Sequence, residues 1–487
     1  MYNPKSNKAE EFISHQEVLD TLDFAQKNKS NIELIDKILE KARKGKGLSH
    51  REAAVLLDCD IEEKNKEIFA LAKKIKQDYY GNRIVLFAPL YLSNYCINGC
   101  VYCPYHAKNT HIPRKKMTQD EIREEVIALQ DMGHKRLAIE TGEDPVNNPI
   151  EYVLESLKTI YSIHHKNGAI RRANVNIAAT TVENYRKLKE AGIGTYILFQ
   201  ETYNKETYEK LHPSGPKHNY KYHTEAMDRA MQGGIDDVGL GVLFGLELYR
   251  YEFSALLMHA EHLEAVFGVG PHTISVPRIR RADDIDPSQF DNGIDDDTFA
   301  KICALIRISV PYTGMIISTR ESQAVREKVL PLGVSQISGA SRTSVGGYAE
   351  PETEEDVNYV YYWTIGNTFV RFAMPKDTYD RMGLDDIQNL INNITRFYDM
   401  NNQNDFEYKK NITSRVYKMF SDLEKDKSFK YEHFKKKEIS FVKKILRGQY
   451  YLTTLKYLRR NIVRLRFNSR EKYLKLFGKV VIGDENA

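Results

Sequence analysis

The chain has 487 residues, 28% charged and 41% hydrophobic, with a formal net charge of +4. This balance is ordinary for a globular protein. It offers no basic surplus arguing for a nucleic-acid partner, and no apolar run nears the ~20 residues of a membrane span.

Residues 1–80 read as a helical extension. Leu19, Leu22, Ile32, Leu34, Ile35, Ile38 and Leu39 mark apolar stripes, and Ser49 with Glu52 writes a helix start. From residue 83, short β-rich runs alternate with helical segments. Strands are expected at 84–92, 136–141, 174–179, 195–200, 237–244, 272–277, 314–319 and 334–338. Helices are expected at 119–132, 149–166, 182–191, 220–233, 251–267, 295–310 and 321–330. This alternation predicts an α/β fold, a (β/α)8 barrel of the TIM type over residues 81–351. The acidic run Glu350-Pro-Glu-Thr-Glu-Glu-Asp356 marks a boundary. Residues 352–487, rich in Lys, Tyr and Asn, predict a mainly helical region; 453–466 alternates Leu, Ile and Val with Arg and Lys at helical spacing.

The five cysteines are Cys59, Cys96, Cys100, Cys103 and Cys303. Their clustering argues for metal binding in a reducing compartment rather than for disulfides. The first eight residues hold no apolar h-region, so a cytoplasmic location is expected. Cys96, Cys100 and Cys103, with Tyr102 before the last, follow the first strand, where barrel active sites lie. Three thiolates this close can hold three irons of a [4Fe–4S] cluster and leave the fourth iron open. A structural zinc is the alternative, with His106 or His111 as fourth ligand; the aromatic residue and the strand-end position favour iron–sulfur. Cys59 and Cys303 read as core residues.

Other strand ends carry candidates. Thr141-Gly142-Glu143 closes the second strand: the glycine permits close backbone approach, and the carboxylate can hold an ammonium. Gln200-Glu201-Thr202-Tyr203 closes the fourth, with Lys210-Leu-His-Pro-Ser-Gly215 following. Arg278 and Arg280 flank the sixth, Arg320 closes the seventh, and Ser338, Ser341 and Arg342 follow the eighth. Guanidinium groups at the mouth suit two bound carboxylates. The alternative is salt bridging to Glu201, Glu143 or Asp283.

The cysteine spacing resembles that of radical S-adenosylmethionine (SAM) enzymes, and Thr141-Gly142-Glu143 resembles their GGE motif. Arg278-Ile-Arg-Arg-Ala-Asp-Asp-Ile, Val310-Pro-Tyr-Thr-Gly-Met-Ile-Ile-Ser-Thr-Arg-Glu and Gln336-Ile-Ser-Gly-Ala-Ser-Arg-Thr-Ser-Val-Gly-Gly-Tyr resemble the tyrosine lyases of that group. These are the [FeFe]-hydrogenase maturases of the HydG type and their sisters, the 2-iminoacetate synthases of thiamine biosynthesis (ThiH type). The resemblance implies that SAM chelates the open iron and yields a 5′-deoxyadenosyl radical. The radical takes hydrogen from the amino group of L-tyrosine, and the Cα–Cβ bond breaks to p-cresol and dehydroglycine.

By motif match, Cys96, Cys100 and Cys103 would hold the cluster. Tyr102, Thr141, Gly142, Glu143, Glu201, Arg278 and Arg280 would line the cofactor. Arg320, Ser338, Ser341 and Arg342 would serve the substrate. A low-potential electron donor and other maturation proteins are the implied partners, with no nucleic acid and no membrane. The maturase also carries a second cluster on C-terminal cysteines, and His272 matches a residue at its labile iron. This chain has no cysteine after Cys303, so the resemblance supports tyrosine cleavage and not synthesis of CO and cyanide. Two other readings remain open: another aromatic substrate such as tryptophan, and a non-catalytic maturation scaffold.

Overall fold

The computed structural model describes residues 1–349, apart from 167 and 340, together with the strands Tyr359–Ile365 and Thr368–Met374. Five helices open the chain: α1 (Ala9–Phe12), α2 (His15–Asn28), α3 (Ile32–Arg43), α4 (His50–Asp58) and α5 (Glu62–Tyr80). Ser14, Asn31 and Ser49 each accept an N–H of the following first turn, which helix starts otherwise leave unpaired. The Ser49–Glu52 capping box is complete.

The chain then runs β1 (Val85–Ser93), α6 (Gln119–Asp131), β2 (Arg136–Thr141), α7 (Ile150–Ser162) and a short hairpin, β3 (His164–His165) with β4 (Gly168–Ala169). Next come β5 (Arg172–Asn176), α8 (Val182–Glu190), β6 (Tyr196–Ile197), α9 (Lys205–Leu211), α10 (Tyr220–Thr224), α11 (Ala226–Gln232) and β7 (Val238–Gly241). The series ends with α12 (Tyr249–Phe267), β8 (Thr273–Ser275), α13 (Asp296–Ser309), β9 (Gly314–Ile317), α14 (Gln323–Val329) and β10 (Gln336–Ser338). Eight parallel strands close in the order β1-β10-β9-β8-β7-β6-β5-β2, the expected (β/α)8 barrel.

Three local expectations give way. The helix expected over 149–166 stops at Ser162, and the β3–β4 hairpin takes its last turn. The helix expected over 220–233 is two helices meeting at Glu225. Helix α9, started by an Asn204 cap on the Thr207 N–H, had no expected counterpart.

Helix α12 is buried nearly all round, including Glu252, His259 and His262. One side faces the barrel, and α2 and α4 cover another. That is why its sequence is apolar beyond a single stripe. The N-terminal helices thus form part of the compact unit Met1–Glu350.

A second unit spans Pro351–Ala487. Its described residues are two antiparallel strands, β11 (Tyr359–Ile365) and β12 (Thr368–Met374), paired from Tyr359↔Met374 to Ile365↔Thr368. A mainly helical region is expected over 352–487, and these two strands are the part of it that the structure describes. Tyr-Val-Tyr-Tyr-Trp-Thr-Ile is aromatic and β-branched throughout, and that strand preference outweighs the helical character of the region's composition. Residues 453–466 lie outside the described residues. No helix among the described residues is long and apolar enough to cross a membrane.

Candidate active site

The cysteine loop leaves the C-terminal end of β1 and is fastened from several sides. Asn94, buried, accepts the Lys115 N–H at 2.7 Å and donates to Pro113 O at 2.9 Å. The Arg114 guanidinium donates to four carbonyl oxygens, those of Asn94, Tyr105, His106 and Asn109. Those backbone acceptors would otherwise be unpaired in a compact loop. Gly99 N–H and Val101 N–H donate to Ser214 O and Leu211 O, docking the loop on the last residue of α9 and the segment that follows it.

The turn after β2 meets this loop directly. A Cβ at Gly142 would fall on Tyr95 O and within 2.9 Å of Cys96 Cβ. The glycine is therefore demanded by the protein's own cysteine loop, a closer cause than cofactor approach. Asn148 Nδ2 bridges Tyr95 O and Gly142 O at 2.9 Å each. Asn98 donates to Glu143 Oε2 at 2.6 Å and accepts the Lys217 N–H at 2.9 Å. Burial raises the Glu143 carboxyl above its ordinary range, with Asn98 and Lys217 opposing. Thr141, Gly142 and Glu143 line a cavity of about 350 Å³.

The three thiols fit an iron–sulfur group. Cys100 is buried against Tyr102 and Leu246, with Cys103 packed beside them. Burial pushes the Cys103 thiol up to about 12, and its cysteine neighbours add to this. Burial pushes Cys100 up to about 11, opposed by Lys217 and reinforced by Cys96. Three thiolates here demand a cationic partner. The histidines of the zinc alternative turn elsewhere: His106 Nε2 lies 3.0 Å from Asp284, and His111 Nδ1 is 4.0 Å from Asp283. Among the described residues no group of three such side chains converges on one ion.

Tyr102 donates its hydroxyl to His212 Nε2 at 2.6 Å. His212 Nδ1 donates to Tyr208 O at 2.7 Å, which leaves Nε2 as the acceptor. Burial holds the His212 imidazole neutral, its pKa lowered to about 3. Tyr102 thus offers its ring to the site rather than its hydroxyl.

Glu201 has a left-handed backbone, φ 68°, which a non-glycine residue adopts only when its surroundings impose it. They do: the buried Glu252 carboxylate on α12 accepts the Tyr203 N–H at 2.9 Å and the Thr202 hydroxyl. The turn aims Glu201 at Lys217, 3.1 Å away. The Lys217 ammonium also lies 5.7 Å over the Tyr102 ring. Burial alone would lower its pKa, but Glu201 and the Cys100 thiol outweigh burial and raise it.

The arginines divide. Arg278 is buried and bidentate to Glu321, with Asp296 at 2.8 Å. Arg280 shares the same Glu321 carboxylate. Both are therefore in salt bridges, and the partner is Glu321 rather than Glu201, Glu143 or Asp283. Arg320 makes no ion pair among the described residues. It lines a chamber of about 220 Å³ inside the barrel with Ser338 and Ser341. Arg342 does not line it; its N–H donates to the Tyr348 hydroxyl, which in turn holds Pro89 O.

The chamber follows from strand alternation, which sends every second residue inward. Phe87, Ala138, Ile197 and Ile316 form an apolar floor with Phe199. Above them stand Tyr91, Glu140, Asn176, Arg320, Ser338 and Ser341. Ser275 also faces the chamber, its buried hydroxyl without a partner among the described residues. Sequence reasoning missed Glu140, Asn176 and Ser275; inward parity on β2, β5 and β8 was the available signal. His272 lies at the opposite barrel end, before β8, 3.4 Å from Asp237.

The radical SAM superfamily matches residues 90–253, and the biotin and thiamin synthesis associated domain matches 275–407. With the closed parallel barrel and the three-cysteine loop after β1, this defines a radical SAM enzyme, a class that uses a [4Fe–4S] cluster and SAM. The 2-iminoacetate synthase of Salmonella typhimurium is 29% identical over 321 residues, 65% of this chain and 82% of that protein. A crystal structure of HydG, a maturase of the [FeFe]-hydrogenase, is 57% identical with TM-score 0.68, covering 69% of this chain and 74% of that one. HydG from Carboxydothermus hydrogenoformans is 36% identical with TM-score 0.65, covering 84% of this chain and 96% of that one. The chain belongs to the HydG family of [FeFe]-hydrogenase maturases.

Proposed function

We propose that this chain is a radical SAM carbon–carbon lyase that cleaves the Cα–Cβ bond of L-tyrosine to p-cresol and dehydroglycine, in maturation of the [FeFe]-hydrogenase. The chamber carries the reading. Its apolar floor suits an aromatic ring, and the polar groups above it suit the α-carbon substituents of an amino acid.

Cys96, Cys100 and Cys103 would hold the cluster, and Glu143 would take the SAM ammonium. When bound, the two groups supply the hydrogen-atom abstractor, given an electron from a low-potential donor. The remaining work falls to the chain. Arg320, with Ser338 and Ser341, holds the substrate carboxylate. Tyr102 and the floor exclude water from the reacting nitrogen. Arg278, Arg280 and Glu321 brace the wall, Lys217 and Glu201 brace the cysteine loop, and Arg342 supports the segment after β10.

Anaerobic incubation of reconstituted protein with SAM, dithionite and tyrosine tests this. We expect p-cresol and 5′-deoxyadenosine together; absence of both overturns it. A panel of amino acids including tryptophan tests the ring specificity. A second reading, thiamine biosynthesis, follows from the likeness to 2-iminoacetate synthase and uses the same cleavage. Release of dehydroglycine with no CO or cyanide would favour it. The scaffold reading requires Cys96→Ala to leave function intact.

A further inference from the structure

The chamber contains one carboxylate that the proposed roles leave unused. Glu140 lies inward on β2, directly across from Asn176 on β5, whose Nδ2 donates to it at 2.8 Å. The other carboxylates nearby are engaged. Glu321 is held by Arg278 and Arg280, Glu201 by Lys217, and Glu143 by Asn98. Glu140 has no cation within ion-pair reach among the described residues. It shares its chamber with Arg320, which likewise has no ion pair there.

An anion and a cation held separately in one small cavity form a receptor for a zwitterion. If Arg320 takes the α-carboxylate, the ammonium belongs on the other side of the α-carbon. We infer that Glu140 binds the α-ammonium of the amino-acid substrate and removes one proton from it before hydrogen-atom abstraction. An ammonium N–H bond is a poor hydrogen-atom donor, because the nitrogen has no lone pair to stabilise the resulting radical. In the step the N–H bond breaks, its electron pair stays on nitrogen, and the proton forms an O–H bond on Glu140. No oxidant or reductant is consumed.

The titratable and charged groups facing Glu140 are Arg320, Glu201, Tyr91 and Tyr105, with Asn176 as its neutral partner. Burial pushes the Glu140 carboxyl up to about 8, against the pull of Asn176 and Arg320. This narrows the gap to the more basic α-ammonium, so the proton transfer costs less free energy than it would to an ordinary carboxyl.

The inference rests on the tyrosine-lyase reading, and the test separates the two. Anaerobic calorimetry on SAM-loaded wild type should show at least tenfold tighter binding of tyrosine than of 3-(4-hydroxyphenyl)propionate, which lacks only the ammonium. In Glu140→Gln this preference should shrink to about twofold. Formation of p-cresol should fall by about 100-fold or more, with the SAM affinity and the cluster spectrum of wild type. Wild type that makes no p-cresol defeats the lyase reading. Wild type that makes p-cresol but binds both compounds equally defeats the Glu140 role without recourse to any variant. So does a Glu140→Gln enzyme that keeps its p-cresol rate and tyrosine affinity within about twofold.

Discussion

Asn98 and Glu143 meet at 2.6 Å, joining the cysteine loop to the turn that closes β2. The same amide accepts the Lys217 N–H, so three loops from distant parts of the sequence share one side chain. Asn98→Ala leaves the Glu143 carboxyl without its donor, at a cost of about 1–3 kcal/mol. The iron content of the variant should match wild type. Its SAM affinity, measured by anaerobic calorimetry, should fall about tenfold. Unchanged affinity would mean that Glu143 is set by the backbone alone.

The thiols give the most direct prediction. Cys96→Ala, Cys100→Ala and Cys103→Ala should each lose the cluster, seen as loss of visible absorption and of the reduced paramagnetic signal. Reconstituted wild type should hold about four irons per chain, the content of one [4Fe–4S] group. About eight would reveal a second cluster, with ligands other than cysteines of residues 304–487, which contain none.

The barrel was legible because its strands are short apolar runs between helices of clear period, and β2 and the capping box of α4 fall where the residues place them. The cysteine loop was legible because few chemistries need three thiols within eight residues. The arginines were harder. Nothing near Arg278 or Arg280 in sequence marks Glu321, 41 residues or more away, as the carboxylate that claims both. Arg114 was missed for the same kind of reason: its four acceptors are backbone carbonyls, which carry no side-chain signature. Glu140 required knowing which face of β2 looks inward, and that depends on barrel closure.

Glu252 should act on the site from a distance. Its carboxylate accepts the Tyr203 N–H and the Thr202 hydroxyl, fixing the turn in which Glu201 takes its left-handed backbone. In Glu252→Gln one side-chain oxygen becomes a donor facing those donors, a loss of about 1–3 kcal/mol. Hydrogen exchange at Thr202 and Tyr203 should accelerate, whereas amides of β1 and β2 keep their protection. Slow exchange throughout would show that the turn holds itself.

The N-terminal helices supply a pH-dependent stability term. His50, buried at the start of α4, lies 2.8 Å from Glu261 on α12 and 3.0 Å from Glu17 on α2. Burial alone would lower the imidazole pKa, but the two carboxylates outweigh it and raise the value above 6.5. This contribution is therefore complete below about pH 6.5 and is lost as pH rises through the folded-state value. Arg51 and His50 hold Glu17 below its ordinary range. Burial opposes the lowering of Glu261, and His50 overcomes it. The carboxylate contributions are present above about pH 4.5 and vanish as pH falls further. Wild type should thus be most stable, as far as this triad decides, between those limits. His50→Gln should lose on the order of 3 kcal/mol near pH 6, and the gap should narrow steadily toward pH 9. Urea midpoints for the two proteins across that range measure it; a constant gap would mean that His50 stays neutral between its two carboxylates.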